Sequence, residues 1–377
     1  MEKRLIKISE PCFNYKELNN VKKVLNSGWI TQGKEVKKFE NLFSKFHKVK
    51  YSIATNSCTT GLHLILTALD FDYKDEIIVP AYSWISTANS VLYTNAKLVL
   101  VDVDPKTNNI CFENLKNKIT KKTKAIIIVH LFGLCVDIKK VKKIAGNNIK
   151  IIEDAACASG SKVYNKFAGT LGMAASFSFH PRKVITTGEG GMVTTSNKNL
   201  AQKILQLRNH GASISNKKTI KPYFMPSFTK IGFNYRMTDI QGSIGVEQIK
   251  KLNYFINQRN KWAKYYNSKL ININWLILPS FSSEFKHSWQ AYVIHLNEKK
   301  SRYSRNTIMN HLQKKGIFTR PGTHAIHMQK IYSLKYNFKP KDFPGAYYCQ
   351  KNSIALPLHN KMTKKDFDYV INCLKKI

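Results

Sequence analysis

Short apolar runs rich in β-branched residues recur along the first half of the chain, and amphipathic stretches separate them. These stretches repeat an apolar position about every three to four residues, the spacing of one face of a helix. The alternation of strand and helix is typical of an α/β fold with a mostly parallel sheet. The runs predict strands at 51–55, 76–80, 98–104, 125–130, 150–154, 176–179 and 190–195, with helices at 60–69, 84–93 and 136–145.

A longer amphipathic stretch, from 237 to about 270, predicts one continuous helix. We expect it to connect a large domain, residues 1–250, to a smaller α+β C-terminal domain, residues 251–377. A chain of 377 residues exceeds the size of one small core, which is consistent with two domains. In the C-terminal part the pattern predicts a strand at 291–296, a helix at 304–315 and a terminal helix from 363.

The composition indicates a soluble, cytoplasmic protein. No apolar run has the length of a membrane span, and residues 1–15 lack a signal-peptide pattern. The seven cysteines are scattered without a CxxC pair, which favours reduced thiols over a disulfide framework or a zinc site. We therefore expect neither a membrane partner nor a metal.

The chain is strongly basic, with 61 lysines and arginines against 23 acidic residues and a formal net charge of +38. Such a balance occurs in nucleic-acid-binding proteins, and it also attracts smaller anions. The lysines are spread along the whole chain, without a dense basic arm or an arginine–aromatic cluster. This distribution favours a solvated surface over a nucleic-acid site.

Two charged residues lie at or just after the carboxyl ends of predicted strands, where α/β folds bind ligands. Lys183 lies in a loop after strand 176–179, and a lysine that is desolvated in a crevice is a nucleophile toward aldehydes. Asp154 ends the apolar strand 150–154 and needs a cationic or hydrogen-bonding partner, which a pyridinium nitrogen would provide. Each also fits a simpler interpretation, a solvated surface lysine and an aspartate that caps the next segment.

Two further features precede Asp154. The segment 56–61, Asn-Ser-Cys-Thr-Thr-Gly, opens a predicted helix with small hydroxyl residues, so its free N–H groups could hold a phosphate. Ordinary helix capping explains the same residues. Trp84 follows the strand 76–80 and could stack on a flat ring, or it could belong to the core.

In this order, a phosphate loop, an aromatic residue, a strand-end aspartate and a loop lysine, the chain resembles the aspartate-aminotransferase fold, fold type I of the pyridoxal-phosphate enzymes. It is similar in particular to the DegT-like (DegT/StrS-type) nucleotide-sugar aminotransferases. This resemblance implies a large domain with a mostly parallel, mixed seven-stranded sheet and a smaller α+β C-terminal domain. The matching stretches include SGWITQGKEVKKFE (27–40), NSCTTGLHL (56–64), PAYSWISTANSVLY (80–93), IIEDAACASGS (151–161), SFSFHPRKVITTGEGGMV (176–193), GFNYRMTDIQ (232–241) and RPGTHAIHM (320–328).

The resemblance implies a set of residues around pyridoxal phosphate. Lys183 would be the internal-aldimine lysine and would later move protons, while Asp154 would pair with the pyridine nitrogen. Trp84 would cover one face of the ring. Ser178 and the backbone of Cys58–Thr59 would hold the phosphate.

Further implied contacts come from other parts of the chain. Asn234 would reach the cofactor phosphate of a neighbouring subunit, which makes a homodimer with shared active sites necessary. Trp29, Thr31 and His324 would contact the sugar nucleotide. Cys157 departs from the family pattern, which has His or Gln facing the phenolic oxygen of the cofactor, and a thiol is a weaker hydrogen-bond partner.

The function implied is a ping-pong transfer of an amino group from L-glutamate to the keto group of a nucleotide-linked sugar, by analogy a 4-keto-6-deoxy sugar. Two alternatives remain. A sugar dehydratase of the same family would have a histidine in place of Lys183, and here His180 lies three residues earlier. A non-catalytic nucleic-acid-binding or regulatory protein would explain the positive charge but not the Asp154–Lys183 pair.

Overall fold

The fold centres on one mixed sheet, seen in a computed structural model that describes residues 5–213 and 225–377. Within these residues the sheet has seven strands: β1 (Tyr51–Thr55), β2 (Glu76–Pro80), β3 (Lys97–Val101), β4 (Thr123–Val129), β5 (Lys150–Asp154), β6 (Ala174–Ser178) and β7 (Gly191–Thr195). They lie side by side in the order β1-β7-β6-β5-β4-β2-β3. Strand β7 runs antiparallel to both of its neighbours, and the other pairs are parallel. The predicted α/β architecture with a mostly parallel sheet is confirmed.

Helices cover both faces of this sheet. Alternate residues of β2 show why: Ile77 and Val79 belong to one buried cluster and Ile78 to the other, so apolar side chains leave the sheet on both sides. The helices of the described chain are α1 (Tyr15–Asn26), α2 (Lys34–His47), α3 (Cys58–Leu69), α4 (Ile85–Leu92), α5 (Phe112–Lys118), α6 (Ile138–Ala145), α7 (Lys198–Arg208), α8 (Asp239–Leu270), α9 (Arg305–Lys314), α10 (Lys330–Tyr336), α11 (Pro344–Asn352) and α12 (Lys364–Lys375).

Helix α8 is the long helix that the sequence predicts, and it contacts two different cores. Its N-terminal part, as far as Ile256, contributes Val246 and Ile256 to the core that α2 shares with the central sheet. Its second half contributes Ala263 and Tyr266 to a separate C-terminal core. The domain boundary at residue 250 stays a prediction. The C-terminal core contains a three-stranded sheet of β8 (Leu276–Ile277), β9 (Tyr292–Leu296) and β10 (Ser353–Leu356), with β9 in the middle.

The predicted strand 98–104 is divided in the structure. Strand β3 ends at Val101, and Val103–Asp104 pairs instead with Asn109–Ile110 in a two-stranded ribbon. The buried carboxylate of Asp102 accepts hydrogen bonds from the backbone N–H groups of residues 345 and 346, both at 2.8 Å, at the start of α11. The chain therefore turns away from the sheet at Asp102, whose carboxylate caps the start of α11.

Several buried histidines make the folded state sensitive to acid. Burial lowers the pKa of His47 and His287 to about 3 and the pKa of His295 to about 4. In the unfolded chain a histidine titrates near pH 6.5, so below that pH the unfolded state binds protons that the folded state does not. The free energy of unfolding should therefore fall between about pH 6.5 and about pH 4, by up to about 1.4 kcal/mol per pH unit for each such histidine.

Urea denaturation at several pH values tests this dependence. The His287→Gln variant should show a shallower decline of unfolding free energy with falling pH than the wild type. The exposed His311 offers a matched control, since His311→Gln should leave the slope unchanged. Identical slopes for the wild type and His287→Gln would contradict the assignment.

Candidate active site

Lys183 lies in the loop 179–190, which joins β6 to β7 at the carboxyl end of β6. Hydrogen bonds join the two ends of this loop. The Phe179 N–H donates to the Gly190 carbonyl at 2.9 Å, and the Phe179 carbonyl accepts the Thr187 N–H at 3.0 Å. The Lys183 N–H donates to the carbonyl of His180 at 2.8 Å, which fixes the turn that carries the lysine. The side chain is half-buried and lines a cleft.

Asp154 reaches the same cleft from the carboxyl end of β5, the neighbour of β6. Only 4% of Asp154 is exposed. One carboxylate oxygen accepts the Thr87 hydroxyl at 2.7 Å and the other accepts the Ala156 N–H at 3.1 Å. Neither partner carries a charge, and no lysine or arginine of residues 5–213 and 225–377 forms an ion pair with this carboxylate.

The start of α3 forms the third side of the cleft. Strand β7 begins at Gly191, which pairs with Thr55 of β1 on one side and with Ser178 of β6 on the other. These pairings bring the helix start beside the end of β6. A Cβ atom at Gly191 would lie 2.4 Å from the Ser57 carbonyl, so glycine is needed for this approach.

Ser57 caps α3 through its hydroxyl, which accepts the Thr60 N–H at 3.1 Å. Cys58 and Thr59 are the first residues of the helix, so their N–H groups have no acceptor inside it. Both residues line the cleft. Burial and the Asp154 carboxylate raise the pKa of the Cys58 thiol well above its usual value. This end of the cleft therefore offers amide donors and a neutral thiol to an anion.

The close contact between α3 and β6 leads to a prediction about Gly61. A Cβ atom there would lie 2.3 Å from the Ser176 hydroxyl, which itself donates to the Cys58 carbonyl at 2.9 Å. Gly61→Ala should therefore lower the free energy of unfolding by about 1–3 kcal/mol and weaken binding of an anion at the helix start. Urea denaturation and a cofactor titration measure the two effects.

The Ser176→Ala variant is the control for this overlap. Combined with Gly61→Ala, it should restore part of the lost stability, because the nearest overlapping atom is removed. A Gly61→Ala variant as stable as the wild type would show that α3 can move away from the sheet without cost.

The cleft, of about 410 Å³, brings together most of the residues predicted for the cofactor. Loop residues from the C-terminal part of the chain close it, including Gln290 and Arg320. Burial lowers the pKa of His180, although the Glu189 carboxylate acts in the opposite direction. The predicted residues that line the cleft are Cys58, Thr59, Trp84, Asp154, Cys157, Ser178 and Lys183.

His324 lies at the edge of this cleft through a contact that sequence alone does not reveal. The segment His324–Ala325 pairs antiparallel with Tyr82–Ser83, and the rings of His324 and Trp84 are 5.3 Å apart. Half of the Trp84 surface is exposed, so Trp84 does not belong to the core.

The remaining predicted residues lie outside the cleft of this chain. Trp29 and Thr31 are exposed in the loop before α2. At the start of α2, the N–H groups of Gly33 and Val36 donate to the carboxylate of Asp239. Asn234 is also exposed, although the carbonyl of its neighbour Tyr235 accepts the Asn56 N–H at 3.1 Å, close to the start of α3. Their predicted contacts with a substrate or a second subunit stay predictions.

Sequence reasoning missed the residues that hold the site in place. Thr87, one turn into α4, was not recognised as the partner of Asp154. Glu153 was also missed: it is fully buried, accepts the N–H groups of Gly169 and Leu171 and pairs with His130 at 2.9 Å. The only sequence signal for Glu153 was an acid inside an apolar strand.

Comparison with known proteins decides the family. The DegT/DnrJ/EryC1/StrS aminotransferase model matches residues 11–375. The chain belongs to this aminotransferase family. Among curated relatives, GDP-perosamine synthase of Caulobacter vibrioides is 36% identical over 375 residues, covering 99% of this chain and 98% of the relative.

Solved structures of family members agree with this result. Helicobacter pylori PseC, an aminotransferase involved in the biosynthesis of pseudoaminic acid, superposes with a TM-score of 0.92 at 28% identity and 99% coverage of both chains. A GDP-4-keto-6-deoxymannose-3-dehydratase superposes with a TM-score of 0.89 at 30% identity, covering 98% of this chain and all of that one.

The predicted enzyme class and cofactor are therefore confirmed: the chain is a pyridoxal-phosphate-dependent aminotransferase of nucleotide-linked sugars. In the described part of the chain, no helix has both the length and the apolar composition of a membrane span.

Proposed function

We propose that this DegT-family chain transfers an amino group from L-glutamate to the keto group of a nucleotide-linked 4-keto-6-deoxy sugar, in the cytoplasm. The observation that carries the proposal is the meeting of Lys183, Asp154 and the open start of α3 in one cleft. An amine, a buried carboxylate and free amide donors are the three groups that an aldehyde, a pyridine nitrogen and a phosphate require.

The cleft fits pyridoxal phosphate on its own geometry. Among the described residues, the hydrogen-bond partners of the buried Asp154 carboxylate are uncharged, and a protonated pyridine nitrogen would balance its charge. Phosphate oxygens suit the N–H groups of Cys58 and Thr59, with Ser178 beside them. When bound, the cofactor supplies an electrophilic carbon and a ring that accepts electrons.

The chain's own residues then have separate tasks. The Nζ atom of Lys183 would hold the cofactor and would serve as the base that takes a proton from the amino donor. Asp154 would pair with the ring nitrogen, and Thr87 holds the Asp154 carboxylate in position through its hydroxyl. Trp84 covers one side of the cleft and reduces access of water to the reacting atoms.

The comparisons support the substrate class. One relative is named a GDP-perosamine synthase, and the structurally similar dehydratase is named for a GDP-4-keto-6-deoxy sugar. Lys183 stands in the loop where the dehydratase alternative would require a histidine, and this favours amino transfer.

Incubation of the purified protein with glutamate and a panel of keto-sugar nucleotides tests the proposal. Mass spectrometry should show an amine in place of the ketone. Loss of a hydroxyl group with release of ammonia would identify a dehydratase instead. Absence of any product, together with tight, salt-sensitive binding to random DNA and no cofactor uptake, would favour a non-catalytic protein.

An exposed apolar surface supports a homodimer in which each subunit contributes to its partner's site. The loop 225–238 carries Asn234 together with Met225 and Ile231, which are 84% and 92% exposed, and Trp29 on the loop before α2 is 61% exposed. Large exposed apolar side chains of this kind are typical of subunit contacts. Light scattering should give a dimer, and Ile231→Glu should weaken it.

The net charge of +38 leads to a prediction about substrate capture. A positive field accelerates the approach of a doubly charged sugar nucleotide, and salt screens that field. The ratio kcat/KM for the nucleotide sugar should therefore fall steeply as ionic strength rises. A flat profile would indicate that the charge has no part in capture.

A further inference from the structure

Cys157 lies against the lysine of the cleft. Its sulfur accepts a hydrogen bond from the Nζ atom of Lys183 at 3.2 Å. Both side chains are half-buried and both line the open cleft, so a small oxidant reaches them. A thiol and a primary amine are therefore in direct contact at an accessible position.

The backbone on both sides holds the two groups face to face. The Cys157 carbonyl accepts the Ser288 hydroxyl at 3.1 Å. On the other side, the Lys183 N–H is bound to His180, and Gln290 donates from its side-chain amide to the Arg182 carbonyl at 3.0 Å. Hydrogen bonds therefore fix the backbone at both residues. The flexible lysine side chain can still move close enough for an N–S bond to form.

We propose that Cys157 and Lys183 form a reversible redox modification site whose oxidant is hydrogen peroxide. In the first step the Cys157 sulfur is oxidised by two electrons, giving a sulfenic acid (S–OH), and the peroxide is reduced to water. In the second step the Lys183 amine attacks that sulfur, an N–S bond forms, the S–O bond breaks and a second water leaves. The product is a Cys157–Lys183 sulfenamide, which two equivalents of thiol reduce back to the free thiol and amine, with formation of a disulfide.

Cys58 is the competing partner for an oxidised Cys157, because it lines the same cleft. Burial and the Asp154 carboxylate raise the pKa of the Cys58 thiol, and a protonated thiol is a poor nucleophile. The amine of Lys183 already touches the sulfur. The sulfenamide is therefore favoured over a Cys58–Cys157 disulfide.

The consequence for activity rests on the proposed function. A Lys183 amine bound to sulfur cannot attach the cofactor, so peroxide would switch the enzyme off until a thiol reduces the bond. A cofactor held by Lys183 would protect the amine, and any state in which the Lys183 amine is free would be the sensitive one.

Peptide mapping of the full-length protein tests the site directly. Cofactor-free protein is treated with hydrogen peroxide, its remaining thiols are alkylated, and the digest is analysed by mass spectrometry. A peptide pair joining Cys157 to Lys183 should appear, about 2 Da lighter than the sum of its parts, and dithiothreitol should remove it. The holoenzyme should give several-fold less of this pair.

Four variants separate this site from other oxidation. The pair should disappear in Cys157→Ser and also in Cys157→Ala, which guards against a folding defect in one of them. It should persist in Cys58→Ser and in Cys111→Ser, the latter a matched half-buried thiol elsewhere in the chain.

Two results would overturn the proposal: Cys157 oxidised while Lys183 stays free, or Cys157 linked to Cys58. The test does not depend on turnover. If no keto-sugar is aminated but the Cys157–Lys183 pair forms, the proposed function fails and the modification site stands.

Discussion

Lys183→Ala is expected to slow amino transfer by at least about 10³-fold, because in the proposed function one side chain supplies both the attachment point of the cofactor and the base that moves the proton. The variant should also lose the near-visible absorbance that accompanies attachment of the pyridoxal aldehyde to the lysine. Single-turnover kinetics with glutamate, followed by absorbance, measure both effects.

The control for this substitution is Lys166→Ala, which removes a positive charge from an exposed position outside the cleft. It should keep both the absorbance and the rate. A Lys183→Ala protein that turned over at the wild-type rate would remove the basis of the proposed function.

Asp154→Asn is expected to lower kcat by about 10²–10³-fold, because an amide cannot hold the pyridine nitrogen in its protonated form and the ring then accepts electrons poorly. The loss should fall on kcat more than on the KM for either substrate, since Asp154 acts on the cofactor and not on the sugar. Steady-state kinetics and a cofactor titration separate these effects.

Two further variants show which part of the effect on kcat is due to the Asp154 carboxylate itself. Thr87→Val keeps Asp154 but removes its 2.7 Å hydrogen bond, and it should cost up to about tenfold in kcat. Glu153→Gln changes the adjacent carboxylate, which binds backbone N–H groups of the loop 169–172, so it should lower stability and leave the cofactor's absorbance unchanged. An Asp154→Asn enzyme with unchanged kcat would refute the pairing with the ring nitrogen.

Much of the central sheet and part of the site could be predicted from local pattern. Strands β1, β2 and β5 begin and end where the apolar runs do, because a strand buried on both faces needs an unbroken apolar run. Lys183 and Asp154 could be assigned to one crevice, because parallel neighbouring strands end at the same edge of a sheet. Helices α1 and α2 were missed, since lysines surround the apolar positions that α2 buries.

The tertiary structure alone decided which groups meet across long distances in sequence. It placed Thr87 on Asp154 and His324 beside Trp84. It also put the Cys157 thiol on the Lys183 amine. It divided the strand predicted at 98–104, because Asp102 caps a helix 243 residues further along.

The difference follows from how far apart in the sequence the contacting residues lie. Strand and helix patterns reflect burial of neighbouring residues, which the local sequence records. A hydrogen bond between residues far apart in the chain depends on how whole elements pack, and the identities of the two residues do not reveal it. Local sequence patterns therefore predict most of the sheet and a lysine and an aspartate at one edge of it, while packing sets which side chains contact these two residues.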